Sequence, residues 1–380
     1  MRILVLHAET INHYPPTYSL INNLLENGHQ VTLISYDAGS LKSINQNSFK
    51  YIDLDYGERY TEKNLWDSRS LLFKLKEERN QSIEFNHLFN KYYRDYDLVW
   101  ATSDIVCKLV GRDLYKSKYI LQLMELRKDI PTISKQRVFM VGLSEYAKHA
   151  FKVVVPEYNR AHIIKAWWNL KDTPTVLPNK PYTLDRFPLT EDESRKLDTL
   201  KAEKKKILLY QGTFTADRDL APYVEACKEL EDYFSLYMIG NEGNEIDSLC
   251  QKYPQINYLG FVNPPNYLYF TEQAYIGLMP YHPSTSKTSI SDILNAVYCA
   301  PNKIYEYSAY GVPMIGPDVP GLYYPFKSFQ IGKCIERTDV KTIIEAVKYV
   351  DETHEQMSKN CRCFYDSIDL NLIVNRILAV

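Results

Sequence analysis

The sequence predicts an α/β protein of two domains, each built around a parallel sheet. Its 380 residues are enough for two domains of ordinary size. Short apolar runs alternate with segments of helical periodicity in both halves of the chain, which is typical of parallel sheets covered by helices. Between the halves, near 178–204, proline and charged residues interrupt this alternation.

The first half opens as a strand-helix-strand unit. Residues 3–6 are a short apolar run that predicts a buried strand, and 31–34 predict the next one. Between them, residues 15–27 place apolar side chains on one helical face, and Gly28 follows as a stop signal. This opening indicates a parallel α/β sheet.

The rest of the first half continues the alternation. A charged amphipathic region covers 64–94. We expect a helix at 157–169 and further strands at 97–101, 119–123, 138–141 and 152–155.

The second half restarts the same pattern after the charged segment 190–206. We expect strands at 207–210, 236–239, 256–259, 276–279 and 313–315, and helices at 219–233, 265–273, 301–310, 338–350 and 366–380. The predicted domains are therefore 1–180 and 181–365. The last helix, 366–380, is expected to pack back toward the first domain.

Composition and charge exclude several classes of protein. The net charge is −2, with 25 basic and 20 acidic residues in 1–180 and 20 and 27 in 181–380. The charge asymmetry between the halves is mild, and the sequence has no concentrated basic patch of the kind found in nucleic-acid-binding proteins. Seven cysteines without a C-x-x-C pair predict reduced thiols in a cytoplasmic protein. The sequence has no apolar stretch long enough to span a bilayer.

Four segments of the chain carry recognisable motifs: TVLPNKP (175–181), ILLYQGTFTADRDL (207–220), INYLGFVNPPNYLYFTEQAYIGLMPY (256–281) and APNKIYEYSAYGVPMIGPDVPG (300–321). Together, and in the expected order, they resemble GT-B glycosyltransferases, above all those of bacterial surface-polysaccharide synthesis (capsule, O-antigen and exopolysaccharide). The last segment is the strongest match, because it is similar to the P-x-K-x-x-E-Y-x-A-x-G-x-P-V-I signature of these enzymes. The resemblance implies two Rossmann-like domains that face each other across a cleft, the first binding the acceptor and the second a nucleotide-diphosphate sugar.

Physical chemistry supports a diphosphate site in the second half. A helix that begins at Pro301 presents the amides of Asn302 and Lys303, and a helix N-terminus attracts anions. Gly212 permits close approach of a ligand to the backbone, and Arg218 can bind a diphosphate through two nitrogens. The resemblance assigns Glu306 to the ribose hydroxyls. Further donor-binding candidates follow strand ends: Thr213, Gly240, Tyr281, His282, Ser284, Thr285 and Ser286.

The catalytic group is predicted in the first half, at strand ends. GT-B enzymes that invert the anomeric carbon need a carboxylate or a histidine to deprotonate the acceptor hydroxyl, whereas retaining ones usually lack a clear base. Glu125 ranks first, followed by Glu9 and His7, with Asp104 as a further strand-end acid and Arg127 as a candidate for an acceptor phosphate. Many retaining relatives carry a glutamate eight residues before the ribose-binding glutamate, where this sequence has Tyr298. Retention or inversion at the anomeric carbon therefore stays open.

No metal cofactor is expected. Three Asp-x-Asp matches begin at Asp53, Asp95 and Asp217, but such short matches arise easily by chance. The resemblance implies a UDP- or GDP-linked sugar as the donor and a saccharide or a polyprenyl-linked saccharide as the acceptor. Residues 64–94 mix apolar and basic side chains, which predicts either a helix packed on the N-terminal sheet or peripheral contact with the inner leaflet of the plasma membrane.

Two other functions fit the same sequence features. Nucleotide-sugar 2-epimerases share the fold and the donor site, and a non-catalytic accessory protein would bind nucleotide sugars without turnover. The absence of G-x-G-x-x-G, Walker A and G-x-S-x-G motifs argues against a dehydrogenase, a P-loop enzyme or an α/β-hydrolase.

Overall fold

The computed structural model divides the chain into two compact units. Unit 1 comprises Met1–Pro178 and Leu370–Val380, and unit 2 comprises Asn179–Asp369. The structure describes residues 1–11, 14–39, 41, 47–54, 69–133, 136–215, 218–254, 256–281 and 290–379. The chain thus passes between the units near the proline-rich stretch and again just before the last helix.

Unit 1 contains a doubly wound parallel sheet: successive strands are added first on one side of the first strand and then on the other. Its described strands are β1 (Arg2–Leu6), β2 (Gln30–Ser35), β3 (Phe49–Asp53), β4 (Leu98–Ala101), β5 (Tyr119–Gln122), β8 (Lys152–Val155) and β9 (Thr175–Val176). Their order is β3-β2-β1-β4-β5-β8-β9, and every pairing is parallel. The point of reversal lies between β1 and β4, where the carboxyl ends of the strands open a crevice in folds of this type.

Helices and one hairpin complete unit 1. The helices are α1 (Pro15–Glu26), α2 (Leu71–Tyr92), α3 (Asp104–Val110), α4 (Ser144–His149) and α5 (Tyr158–Trp168). The predicted strand at 138–141 belongs to an antiparallel hairpin of β6 (Asp129–Ile133) and β7 (Gln136–Gly142), which forms a sheet of its own. Sequence alone did not predict β3 or β6, because neither shows a continuous apolar run.

Unit 2 repeats the doubly wound order. Its described strands are β10 (Lys206–Gln211), β11 (Phe234–Ile239), β12 (Asn257–Tyr258), β13 (Ile276–Leu278), β14 (Met314–Pro317) and β15 (Gly332–Ile335), in the order β12-β11-β10-β13-β14-β15. All of these pairings are parallel. Alternate residues of β10 and β11 enter the two apolar clusters on opposite faces of the sheet, as a strand buried on both sides requires.

The helices of unit 2 are α6 (Glu191–Lys201), α7 (Ala221–Glu229), α8 (Asn244–Lys252), α9 (Leu268–Thr271), α10 (Ile290–Val297), α11 (Lys303–Ala309), α12 (Pro320–Phe329) and α13 (Val340–Asp366). The charged segment 190–206 contains α6, which begins with a capping box between Thr190 and Glu193. The helix predicted at 338–350 continues to Asp366, since no glycine or proline interrupts it.

The last helix, α14 (Leu370–Leu378), groups with unit 1. The side-chain oxygen of Asn371 accepts hydrogen bonds from the amide groups of Asn23 (2.7 Å) and Asn27 (2.8 Å) on α1. The Lys152 ammonium donates to the Arg376 carbonyl at 2.9 Å. Within the described residues, no helix has both the length and the apolar character needed to cross a bilayer.

Candidate active site

The site is centred on the carboxyl end of β10, at the reversal point of the unit 2 sheet. Gly212 follows this strand with φ +144°, a backbone conformation that L side chains rarely adopt. A Cβ placed on Gly212 would lie 2.7 Å from Nζ of Lys303. The lysine side chain therefore occupies the space that a larger residue at 212 would fill, and its ammonium lies directly over the strand end.

A second glycine allows the neighbouring strand to end equally close. A Cβ on Gly240, after β11, would lie 1.8 Å from the Gly212 carbonyl oxygen and 2.7 Å from the Phe214 ring. The Gly240 amide donates to the Gly260 carbonyl at 3.1 Å. Close backbone packing thus requires a glycine at 240, which the sequence motif alone did not show, whereas at 212 the positive φ favours glycine.

Arg218 joins Lys303 at this edge. Its guanidinium donates to the Thr213 hydroxyl at 2.6 Å and lies 4.9 Å from the Tyr281 ring centroid. The Lys303 ammonium donates to the Tyr281 hydroxyl at 3.4 Å. Tyr281 is buried and Lys303 half-buried, so two cations converge on one largely buried aromatic ring.

Burial lowers the pKa of Lys303, and the nearby positive charge of Arg218 lowers it further. Two cations at one strand end repel each other, and an anion between them removes this cost. The arrangement is therefore suited to a polyanionic ligand.

Glu306 lies in α11, one turn after Lys303, and is 4% exposed. One carboxylate oxygen accepts a hydrogen bond from Gln211 at 3.0 Å, and the other accepts one from the Tyr267 hydroxyl at 2.6 Å. Burial raises the pKa of this carboxyl, while Lys303 and the two hydrogen bonds oppose the rise. A carboxylate has about four acceptor positions, so two remain for other donors.

The helix predicted at 301–310 is shorter in the structure. α11 begins at Lys303, although Asn302 already has helical dihedral angles (φ −56°, ψ −34°). The Asn302 carbonyl accepts from the amides of Tyr305 and Glu306, while its side chain makes no capping hydrogen bond. The cationic side chain of Lys303, rather than an extended helix start, is thus the main electropositive feature here.

Sequence reasoning missed the residues that surround Glu306. Gln211, Tyr267 and Thr271 form a hydrogen-bonded chain around its carboxylate. Gln211 is a polar residue at the end of an apolar strand, a pattern that could have marked it as a site residue. Tyr267 lay inside a quoted motif but had no distinguishing pattern among the 32 tyrosines.

The three catalytic candidates lie in unit 1. His7 follows β1 and is fully buried, with Nδ1 2.7 Å from the Thr102 hydroxyl. That hydroxyl donates its proton to the Leu6 carbonyl at 3.0 Å, so Nδ1 of His7 is the protonated nitrogen. Burial lowers the pKa of His7 to about 3. A base this weak is a poor proton acceptor near neutral pH.

The two carboxylates have different surroundings. Glu125, which follows β5, is exposed, and one of its oxygens lies 3.8 Å from the guanidinium of the buried Arg160. Glu9, which follows β1, is half-buried. Arg127 pairs with the buried Asp104 at 3.8 Å, and burial raises the pKa of Asp104. Both glutamates stay predictions for the catalytic base.

No group of three or more metal-ligating side chains occurs within the described ranges. Of the Asp-x-Asp candidates, Asp97 pairs with the backbone and side chain of Arg2. Four loop candidates and two aspartates lie outside the described residues: His282, Ser284, Thr285, Ser286, Asp55 and Asp217.

Solved structures of other proteins share this architecture. Sucrose-phosphate synthase from Thermosynechococcus elongatus matches with a TM-score of 0.68 at 14% identity, over 100% of this chain and 98% of that one. Anabaena HepE, solved in complex with UDP-glucose, matches with a TM-score of 0.67 at 12% identity, over 100% and 98%. This protein has the GT-B fold. At such identities the GT-B matches establish the architecture and nothing finer.

A curated relative also supports the predicted resemblance of this chain to polysaccharide glycosyltransferases. The serotype-specific mannosyltransferase WbdA of Escherichia coli is 27% identical over 190 residues. The match spans 45% of this chain and 22% of WbdA, less than a quarter of that relative's length. The predicted similarity to polysaccharide glycosyltransferases is therefore confirmed. No protein-family model matches the sequence.

Proposed function

We propose that this chain is a glycosyltransferase that binds a UDP- or GDP-linked sugar on unit 2 and transfers the sugar to a saccharide or lipid-linked acceptor in bacterial polysaccharide synthesis. The observation that carries the proposal is the pair Lys303 and Arg218 at the carboxyl end of β10. Ligands of doubly wound sheets bind at this edge, where the strand order reverses. By analogy, the mannosyltransferase WbdA suggests the class of reaction, and HepE with its bound UDP-glucose suggests the class of donor.

In the proposed reaction, an acceptor oxygen attacks the anomeric carbon while the bond to the diphosphate breaks. Negative charge then grows on the leaving diphosphate. Lys303 and Arg218 would stabilise that charge at low cost, since protein contacts already hold Arg218 and Gly212 in place. Thr213, Gly240, Tyr281 and Asn302 would line the donor, and Glu306 would accept hydrogen bonds from the ribose.

Inversion at the anomeric carbon requires a base for the acceptor proton. His7 is the weakest of the three candidates because its pKa of about 3 leaves little affinity for a proton. We therefore propose Glu125 or Glu9, in that order, as the proton acceptor. We further propose that charge stabilisation by Lys303 and Arg218 replaces a metal ion, so that a chelator leaves activity unchanged.

The proposal also includes peripheral contact of unit 1 with an anionic membrane. Leu72, Lys76, Arg79 and Ile83 lie at helical spacing on the outward face of α2, and all four are exposed. Leu72 is 79% exposed and Ile83 58%. The opposite face of α2 buries Glu78, Gln81, Phe85 and Phe89. Apolar and basic side chains on one stripe favour the interface of a bilayer with anionic lipids.

Calorimetry with nucleotides tests the proposed function directly. Binding of UDP or GDP, with weaker binding of the monophosphates, is expected. Release of nucleoside diphosphate only when an acceptor is present would support transfer. Interconversion of the sugar nucleotide alone would indicate an epimerase, and binding without turnover for any acceptor would indicate an accessory protein. Failure to bind any nucleoside diphosphate would contradict all three.

A further inference from the structure

Glu193 is a buried carboxylate in one of the most charged segments of the chain. It lies in the first turn of α6 and is 2% exposed. In a capping box, such a glutamate accepts one hydrogen bond from the N-cap amide, and here the Thr190 amide donates at 3.0 Å. That role uses only one of its acceptor positions and does not require complete burial.

The remaining acceptor positions of Glu193 hold the loop before α9. One oxygen accepts from the backbone amide of Asn263 at 3.1 Å and from its side chain at 3.2 Å. The other also accepts from the side chain of Asn266 at 3.0 Å. Asn266 is 4% exposed, and its oxygen accepts from the Phe187 amide at 2.9 Å. The carboxylate thus fixes both ends of the 263–266 loop.

This loop leads directly into Tyr267, whose hydroxyl donates to Glu306. The Thr271 hydroxyl, one turn later, donates its single proton to the side-chain oxygen of Gln211 at 2.7 Å, and it lies 3.1 Å from the Tyr267 carbonyl. Gln211 in turn donates to the other oxygen of Glu306. Both hydrogen bonds to the Glu306 carboxylate are therefore oriented by one short segment, 267–271.

A buried carboxylate with fixed donors on each oxygen has its remaining lone pairs fixed in direction. Removal of one donor leaves the charge less well solvated and the group free to rotate. Residues that orient a binding side chain in this way contribute to specificity without touching the ligand.

We infer that Tyr267 and Glu193 are positioning residues, which fix the Glu306 carboxylate so that it recognises the vicinal hydroxyls of a ribose. The inference rests on the proposed function, because it assumes that a nucleoside diphosphate binds beside Glu306. It adds that discrimination between ribose and 2′-deoxyribose depends on the contacts of the Glu193 carboxylate with the 263–266 loop, and that Glu193 itself does not need to contact the nucleotide.

The test is the ratio of dissociation constants for a 2′-deoxynucleoside diphosphate and its ribo form, measured by calorimetry with UDP and dUDP and with GDP and dGDP. We expect the wild-type protein to prefer the ribo form by about tenfold, since a charged hydrogen bond is lost with the hydroxyl. Tyr267→Phe should bring this ratio close to one. Glu193→Gln should lower it in the same direction, because an amide nitrogen replaces one acceptor.

Two control variants separate positioning from stability. Thr190→Ala removes the capping hydrogen bond from the Glu193 amide (3.2 Å) and leaves the contacts of Glu193 with Asn263 and Asn266. Tyr269→Phe removes a hydroxyl from a ring that packs against Arg186 at 4.1 Å. Both should keep the wild-type ratio, even though Thr190→Ala lowers the melting temperature.

The outcomes distinguish the inference from the proposed function. A wild-type ratio in a folded Tyr267→Phe protein that binds UDP would overturn the inference and leave the proposed function intact. A wild-type protein that binds no nucleoside diphosphate would overturn both. A ratio that falls equally in Thr190→Ala would show that helix stability, and not the orientation of Glu306, controls recognition.

Discussion

The Lys303 ammonium lies where a side chain on Gly212 would have to be, 2.7 Å from the position of its Cβ. Gly212 follows strand β10 and Lys303 begins helix α11, so a side chain added at 212 would have to displace the end of the Lys303 side chain. This relationship places a cation over the carboxyl end of β10.

Gly212→Ala should therefore displace Lys303 and weaken binding of a nucleoside diphosphate. The strained backbone should also lower the free energy of unfolding by about 1–3 kcal/mol. Gly28→Ala is the matched control, since Gly28 has φ +77° but no atom within 4 Å of its Cβ position. Calorimetry and thermal melts check both effects. Equal diphosphate affinity in the two variants would contradict the role of this contact.

Lys303→Ala should reduce affinity for a nucleoside diphosphate by about 10- to 100-fold, the value of one charge-assisted hydrogen bond. Affinity for the plain nucleoside should change little. Lys341→Ala, at a side chain that is 85% exposed, is the control. A comparable loss for the nucleoside would argue against a phosphate contact.

Lys303 also predicts a pH dependence. Burial and Arg218 lower its pKa, so the ammonium loses its proton at a lower pH than an ordinary lysine, and diphosphate affinity should fall as the pH rises through that value. Lys303→Arg keeps its charge at high pH and should remove this fall. Parallel pH titrations of affinity would show the difference, and identical profiles would refute it.

Glu306→Gln should separate stability from binding. Burial raises the pKa of Glu306 above 4.5, so the folded state holds the proton more tightly than the unfolded state. The native protein therefore loses stability as the pH rises from about 4.5 through the folded-state pKa. The glutamine variant should lack this loss and still bind the nucleotide at least about tenfold more weakly. Urea unfolding across that pH range and calorimetry are the measurements; unchanged affinity would refute the ribose role.

His7 should make unit 1 sensitive to acid. Its pKa falls from 6.5 to about 3 on burial, so the unfolded state binds the proton more readily between these values. Stability should drop by up to about 1.4 kcal/mol per pH unit as the pH falls through this window. His7→Asn, which keeps a donor for Thr102, should flatten the curve, whereas His162→Asn at an exposed site should not. Equal acid sensitivity in all three proteins would exclude His7 as the cause.

The outward stripe of α2 should bind anionic vesicles. Replacement of both Leu72 and Ile83 by serine should reduce co-sedimentation with phosphatidylcholine vesicles that contain phosphatidylglycerol. Tyr233→Ser, at a ring that is 70% exposed in unit 2, should leave it unchanged. Added salt should weaken the binding of the wild-type protein. Retention of full binding by the double variant would rule out this stripe as the contact.

The sequence by itself determined the secondary structure of most buried strands and the class of fold. Apolar runs such as β1 and β10, each followed by an amphipathic helix, are local patterns, and local patterns can be read without coordinates. The motif around Lys303 and Glu306 was also visible, because its residues lie close together in the chain. Strands with mixed polarity, such as β3 and β15, carried no such pattern.

Only the tertiary structure decided which groups surround those residues. Gln211 and Tyr267 reach Glu306 from positions 95 and 39 residues away in the chain. The pKa of His7 depends on its complete burial in the folded protein, and the 370–378 helix joins unit 1 through asparagines on α1. Hydrogen bonds and desolvation between distant segments depend on how the elements pack, which no periodicity in the sequence encodes.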